Sequence, residues 1–369
     1  MKKNIGIYIY GPKDWYAGIS FLKAVTTCAK RHYPDDLTFY LVLDQKNREA
    51  EKSFAGLVDK VVILDSEKRT FFEKAYGKLI QKDYWIEKIL SNEGIDYVLS
   101  CDLALDLKHI KLLMWLTDCQ HKYYPEYFPP GEVAGRDSLF EKIIQKALKI
   151  IVMSESVRED CEKFLPLSKR KLVVVRAALD PKSFNVEDRD VLKKYNLPSD
   201  FVYMPNQFWK HKNHAFLFKA IKILKEQSQE FNFVFTGSTN DYRDPLYFSS
   251  LLQMIAELKI RDNVYILGMV DRKDVFALYK RCRFVISPSE FEGFGMSALE
   301  AKACGKCLLL SDIPAHREFA GIGCYFFSLS SCEELVAKIK ELYSFKKHDI
   351  DYDYETQSKI SAESFMKIF

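Results

Sequence analysis

The chain has 369 residues, of which 48% are apolar and 29% charged, and a net charge of +4. That length exceeds one ordinary core and suits two domains, and the composition is that of a globular protein rather than a disordered or fibrous one. A small charge spread evenly along the chain gives no case for a nucleic-acid partner, and no apolar stretch approaches the roughly 20 residues needed to span a bilayer.

The chain opens MKKNIGIYIYGPKDW. Two lysines before an apolar run raise the question of a secretory leader, but Ile5–Tyr10 is short and lacks a small-residue cleavage site, so it reads as a buried first strand. A cytoplasmic location is expected, with a peripheral position on the inner face of the membrane left open. Nine scattered cysteines, an odd number, fit reduced thiols.

Further strands are predicted at Leu37–Leu43, Val61–Leu64, Asp96–Cys101, Ile110–Leu116, Lys149–Met153 and Leu172–Val175, where β-branched and aromatic residues cluster. Amphipathic stretches such as Tyr16–Arg31, Thr70–Leu90 and Asp137–Ala147 predict helices between them. The segment Asp180–Asp200, with Pro181, Asn185, Pro198 and mixed charges, breaks the rhythm and reads as a hinge. Beyond it strands are predicted at Phe201–Met204, Phe231–Thr236, Asn263–Leu267, Phe284–Ile286, Cys307–Ser311 and Tyr325–Phe327. Helices fall near His211–Gln227, Pro245–Leu258, Arg272–Arg281, Met296–Cys304 and Cys332–Tyr343. Such alternation predicts an α/β chain of two doubly wound sheets, residues 1–180 and 181–354. Open α/β sheets bind ligands beyond the carboxyl ends of their strands, so a cleft between the domains and the loops that follow strands should carry the chemistry.

One such loop is SEFEGFGMSALE, Ser289 to Glu300. Gly293 and Gly295 permit close backbone approach, and the helix starting near Met296 aims free N–H groups at the loop, which suits an anion. Glu292 and Glu300 flank that position, and carboxylates accept paired hydrogen bonds from neighbouring hydroxyls. A ligand with both phosphate and sugar diols, such as a nucleotide sugar, matches. The plain alternative is that Glu290 and Glu292 only complement the helix dipole, and the residues alone leave both open.

The run Glu292-Gly293-Phe294-Gly295 through Glu300-Ala301, then Ala303-Cys304-Gly305, resembles the E-x7-E signature of the retaining glycosyltransferases of family GT4, which have the GT-B fold of two Rossmann-like domains. Ser311 to Glu318 looks like the family's next segment. The resemblance implies that Glu292 contacts the transferred sugar, that Gly293, Phe294 and Gly295 offer backbone N–H groups, and that Glu300 binds the ribose diol. It implies a closing helix at about 355–369 that returns to the first domain. In Met204 to His214 it places Lys212 on the donor diphosphate, while Asn206 stands where the family has arginine, with Gln207 or Lys210 as compensation. The histidines His211 and His214 read as caps or surface residues. Gly18 is the counterpart of a glycine-rich loop joining the first strand to its helix. Asp118 and His121 correspond to a histidine-aspartate pair in altered order, with Thr117 in the histidine's usual place. Met269 and Val270, after Gly268, are expected against the nucleotide base.

Two D-x-D triplets, Asp188-Arg189-Asp190 and Asp351-Tyr352-Asp353, lie away from strand ends, and Cys304-Gly305-Lys306-Cys307 lacks a second cysteine pair, so no metal and no cofactor is expected. The resemblance implies transfer of a sugar from a UDP- or GDP-sugar to the hydroxyl of a glycan or lipid-linked glycan, with retention, in surface polysaccharide synthesis. A sugar-nucleotide 2-epimerase and a non-catalytic nucleotide-sugar-binding subunit are the alternatives. A dinucleotide dehydrogenase is disfavoured, because no G-x-G-x-x-G follows the first strand. Lys142–Lys149 and Lys169-Arg170-Lys171 are basic enough to touch a bilayer or to form a solvated face.

Overall fold

The computed structural model describes residues 2–9, 16–65, 83–100, 105–184, 190–228, 231–345 and 350–369. It comprises two compact units. Unit 1 takes Met1–Tyr123, Pro130–Ala178 and Glu355–Phe369, and unit 2 takes Tyr124–Pro129 and Leu179–Tyr354.

Unit 1 is built on the strands β1 (Lys3–Ile9), β2 (Leu37–Asp44), β3 (Lys60–Leu64), β4 (Tyr97–Ser100), β5 (Lys111–Trp115), β6 (Lys149–Val152) and β7 (Leu172–Val174). They pair in parallel in the order β3-β2-β1-β4-β5-β6-β7. Its helices are α1 (Tyr16–His32), α2 (Tyr84–Asn92), α3 (Gln120–Tyr123), α4 (Glu132–Lys146) and α5 (Glu155–Phe164). Ser154 caps α5 by accepting from Val157 N, an arrangement that contributes about 1 kcal/mol. A parallel sheet is covered on both faces, so its strands read as continuous apolar runs; β5, KLLMW, is buried at every residue after Lys111.

The strands of unit 2 are β8 (Val202–Met204), β9 (Phe233–Thr236), β10 (Val264–Gly268), β11 (Val285–Ser287), β12 (Leu308–Ser311) and β13 (Cys324–Phe327). The helices are α6 (Val191–Tyr195), α7 (His214–Glu226), α8 (Tyr247–Glu257), α9 (Arg272–Arg281), α10 (Met296–Ala303), α11 (Pro314–Arg317) and α12 (Cys332–Ser344). The sheet order is β10-β9-β8-β11-β12-β13, parallel throughout. Phe218, Phe233, Phe235 and Leu309 lie at the centre of its core. The last helix, α13 (Tyr354–Met366), belongs to unit 1, where Phe365 lies 5.9 Å from Phe39 between ring centroids and Ser364 Oγ accepts from Arg176 N.

The described part of 180–200 is built into unit 2 and is not a free linker. Phe184 stacks on Phe276 of α9 at 4.1 Å, and Tyr195 OH donates to buried Asp274 at 2.8 Å, which also pairs with Lys194. The predicted helix Thr70–Leu90 falls partly on residues outside those described. Its described remainder joins α2, which starts at Tyr84 and runs on to Asn92.

In both sheets the chain starts in the middle and works outward to one edge before crossing to the other. The order reverses between β1 and β4 in unit 1, and between β8 and β11 in unit 2. A crevice opens at such a switch point, because the connections leave it in opposite directions. In unit 1 residues 10–15 after β1 and 101–104 after β4 fall outside the described residues. In unit 2 both loops are described, and Gly237 supports one of them. Its φ is +139°, and a Cβ there would stand 2.5 Å from the Asn206 carbonyl oxygen.

Gly237→Ala is therefore expected to cost unit 2 about 1–3 kcal/mol, read as a lower denaturant midpoint for that unit. An unchanged midpoint would mean that the two loops do not approach so closely.

Candidate active site

The switch point of unit 2 brings together the segments that follow β8 and β11. After β8 the chain forms a tight turn, Lys210–Lys212, closed by Lys212 N donating to Trp209 O at 2.9 Å, and Asn213 at φ +57° leads into α7. Glu290 N, in the loop after β11, donates to His211 O at 2.8 Å and ties the two segments. Within that frame Lys212 Nζ lies 2.7 Å from Glu292 Oε1, with the two side chains only 15% and 8% exposed. Ser289 Oγ donates to the same oxygen at 2.7 Å.

Burial alone would raise the Glu292 pKa. The attraction of Lys212 and His316, with the hydrogen bonds from Lys212 and Ser289, outweighs burial and holds the carboxyl below its usual range. Ser311 Oγ donates to Ser289 O at 2.5 Å and meets His316 Nδ1 at 3.0 Å, so the loop is anchored to β12 and α11 as well. Burial lowers the His316 pKa, against the pull of the Glu292 carboxylate.

Glu290 does not serve the helix end. Its carboxylate accepts from Tyr127 OH at 2.7 Å, and its carbonyl accepts from Tyr124 OH at 3.3 Å. These tyrosines, stacked at 5.0 Å, lie in the 124–129 segment that clusters with unit 2. Lys210 stands over the Tyr127 ring at 4.9 Å.

Gly295, at φ +98°, is the N-cap of α10. Ala298 N and Leu299 N turn back to its carbonyl, which leaves the Met296 and Ser297 amides at the helix start without a partner within the helix. Gly293 is partly buried, and the Phe294 ring packs on Phe319 at 5.2 Å, so Phe294 can offer a ligand only its main chain.

Glu300, one turn into α10, is buried. It pairs with Arg272 Nη2 through Oε1 and accepts from Tyr279 OH through Oε2 at 3.2 Å. Arg272 opens α9 directly after the Gly268–Asp271 loop, in which Met269 is 57% exposed and Val270 half-buried. The same loop is joined to the β9 end by Gly237 N donating to Gly268 O at 2.9 Å. Sequence reasoning missed Arg272 and Tyr279. Their seven-residue spacing on one helix face was the available signal.

The candidates in unit 1 are less concentrated. Asp118 and His121 are neighbours in sequence but are held by different partners. Asp118 Oδ1 accepts from Gln120 N at 2.9 Å and from Arg136 at 3.3 Å, whereas buried His121 meets Asp137 Oδ1 through Nε2 at 3.0 Å. Burial lowers the His121 pKa, against the pull of Asp137. Gly18 lies inside the first turn of α1 rather than in a loop.

His211 and His214 are neither caps nor surface groups. Both are buried, His214 is stacked on Phe208 at 4.3 Å, and burial pushes its pKa down to about 3. Asp188 and Arg189 lie outside the described residues, and among those described no cluster of three or more His, Cys, Asp or Glu is placed to hold a metal. Cys304 and Cys307, on either side of the Gly305 turn, are not joined in a disulfide. In the basic stretches, Lys146 pairs with Asp106, Lys169 with Glu162, and Lys171 donates to the Ile144 carbonyl at the end of α4.

Residues 187–359 match the family model described as Glycosyl transferases group 1. The chain is 24% identical over 268 residues to the O-antigen chain mannosyltransferase RfbU of Salmonella typhimurium, covering 68% of this chain and 69% of that one. It is 29% identical over 254 residues to the N,N'-diacetylbacillosaminyl-diphospho-undecaprenol alpha-1,3-N-acetylgalactosaminyltransferase of Campylobacter jejuni, covering 63% of each. Among solved structures, Anabaena HepE in complex with UDP and glucose superposes with a TM-score of 0.68 at 15% identity, over 99% of this chain and 94% of that one. At that identity the likeness concerns the fold.

Lys212→Met keeps bulk but leaves Glu292 buried without its counter-charge, and is expected to cost unit 2 about 3–5 kcal/mol at neutral pH. In the wild type the folded-state pKa of Glu292 lies below its ordinary 4.5, so the pair's stabilisation is complete above that value and fades as pH falls through the lowered one. In the variant burial pushes the carboxyl upward, so the deficit should narrow on acidification. Denaturant titrations of both proteins from pH 7 to pH 4 check this, and a deficit independent of pH would contradict it.

Proposed function

We propose that the chain, which matches the glycosyl transferases group 1 model over residues 187–359 and has the GT-B fold, moves a sugar from a nucleoside-diphosphate donor to an acceptor hydroxyl of a surface glycan, with retention of configuration. The observation that carries the reading is the Lys212–Glu292 contact at the switch point of unit 2, with Glu300 and Arg272 beside it. A cation, a set of helix-start amides and two buried carboxylates match a diphosphate flanked by a hexose and a ribose.

The donor's leaving group is a diphosphate, so stabilising its developing charge lowers most of the barrier. Lys212 has three N–H donors and uses one on Glu292, which leaves donors for a phosphate oxygen. The amides of Met296 and Ser297 supply further positive potential at the start of α10. Glu292 accepts from hydroxyls of the transferred sugar. Glu300, held by Arg272 and Tyr279, accepts from the ribose diol, while Met269 and Val270 border the base. Asp118 and His121 serve the acceptor side.

In the step itself the bond from the anomeric carbon to the phosphate oxygen breaks and a bond to the acceptor oxygen forms on the same face. The acceptor proton passes to the departing phosphate. Trapping a covalent glycosyl adduct on Glu292 would overturn this route. With Lys212 and helix amides carrying the charge, the reaction needs no metal and no cofactor.

The relatives act, by their names, on an O-antigen chain and a diphospho-undecaprenol-linked sugar. We assign this chain a lipid-linked glycan acceptor, a UDP- or GDP-sugar donor, and a cytoplasmic place against the inner membrane face. Among the described residues no helix is long and apolar enough to cross a membrane.

A panel of UDP- and GDP-sugars should contain one that raises the thermal midpoint and releases nucleoside diphosphate in the presence of EDTA. A protein that binds but releases nothing is a binding subunit, and one that returns an altered sugar nucleotide is an epimerase. Glu292→Gln is expected to lower kcat about a hundredfold. Arg272→Ala should raise donor KM roughly tenfold with a smaller change in kcat, and an effect of Arg272→Ala on kcat alone would contradict its assignment to binding.

A further inference from the structure

Asn206 occupies the place at which the family resemblance expects an arginine, and its surroundings are not those of a phosphate ligand. It is 5% exposed, and its amide points across the sheet from the end of β8 to the end of β11, where Nδ2 donates to Ser287 Oγ at 3.2 Å. Ser287 Oγ lies 3.0 Å from Ser289 Oγ, and Ser289 Oγ donates to Glu292 Oε1 at 2.7 Å. All four residues are buried.

The direction of the chain follows from counting protons. A serine hydroxyl has one proton. Ser289 gives its proton to Glu292, so it must accept from Ser287. Ser287 then has none left for Asn206 and must accept from the amide N–H. Every bond in the series therefore donates toward the carboxylate, and only a side chain with a donor at position 206 can start it. Asparagine meets that requirement, and aspartate of the same shape does not.

We propose that Asn206 is a positioning residue for Glu292, acting through Ser287 and Ser289, and that it does not grip the diphosphate. This rests on the reading that Glu292 faces the transferred sugar. The relay and Lys212 both end on Oε1, at 2.7 Å each. The close approach of the Gly237 backbone, where a Cβ would stand 2.5 Å from the Asn206 carbonyl oxygen, leaves the start of the relay little room to shift. In a relay, loss of the first link is felt in the chemical step, where the orientation of Glu292 counts, and not in the affinity for a nucleoside diphosphate that lacks the sugar.

The test uses the full chain and four variants: Asn206→Ala, Asn206→Asp, Ser289→Ala and the Asn206→Ala/Ser289→Ala pair. Affinity is measured for UDP and for GDP, and kcat and KM for nucleoside-diphosphate release from the donor that the wild type uses. Both Asn206 variants should lose about tenfold in kcat, with UDP or GDP affinity within about twofold of the wild type. Ser289→Ala should lose a similar factor, and adding Asn206→Ala to it should cost less than about twofold more, because one chain has already been cut. Should Asn206→Ala not fold, Ser287→Ala breaks the same chain one link further on.

Weakened UDP or GDP affinity with kcat retained would make Asn206 a diphosphate contact and overturn the relay alone. Multiplying losses in the double variant, or an Asn206→Asp protein with wild-type kcat, would also overturn it. A wild type that binds neither UDP nor GDP and releases neither from any sugar nucleotide would instead remove the functional reading on which the relay rests.

Discussion

A lysine ammonium and a glutamate carboxylate, 2.7 Å apart and almost sealed from water, organise the second unit. Each is costly to bury alone, and together they are tolerated because each meets the other's charge and Ser289 adds a hydrogen bond to the carboxylate. The constraint runs outward from there. The loop carrying Glu292 has to leave β11 within reach of the turn that carries Lys212, which requires β8 and β11 to be neighbours. The doubly wound order provides that adjacency. Gly295 then turns the chain so that α10 begins beside the pair and brings Glu300 under Arg272.

The same geometry includes residues whose contacts hold the site's other side chains still. Arg272 and Tyr279 fix Glu300, Tyr127 fixes Glu290, and Ser311 fixes the backbone of Ser289. A loop rich in glycine would otherwise sample many conformations. Here it is pinned at several points from β12, α9 and the 124–129 segment, and flexibility of the individual residues coexists with one defined arrangement.

The parallel α/β character was legible because completely buried strands must be continuous apolar runs. FVFT, VIS and LLLS stand out for that reason, and the helix expected near Arg272–Arg281 spans those residues, capped by Asp271 accepting from Lys273 N. What could not be read were pairings between distant positions. Glu290 with Tyr127, Glu300 with Arg272 and Asn206 with Ser287 join residues 163, 28 and 81 positions apart, and no local pattern encodes them. Asp118 and His121 sit within one turn of each other and are held by the consecutive residues Arg136 and Asp137 of α4, contacts that their own sequence neighbourhood does not show. His211 and His214 read as surface groups because a polar residue at a helix start is usually solvated. The aromatic packing of Phe208 and Trp209 covers them instead.

The two units are interleaved along the chain. Tyr124–Pro129 cluster with the second unit although the residues on either side belong to the first, and the closing helix α13 belongs to the first unit although it follows the second. A cut near residue 178 would thus not yield two self-sufficient halves. The carboxyl-terminal piece would lose the tyrosines that brace Glu290, and the amino-terminal piece would lose the helix whose Phe365 packs on Phe39. Exchange of whole units between related chains, by recombination or by design, must carry both crossing segments with their host unit to preserve these contacts.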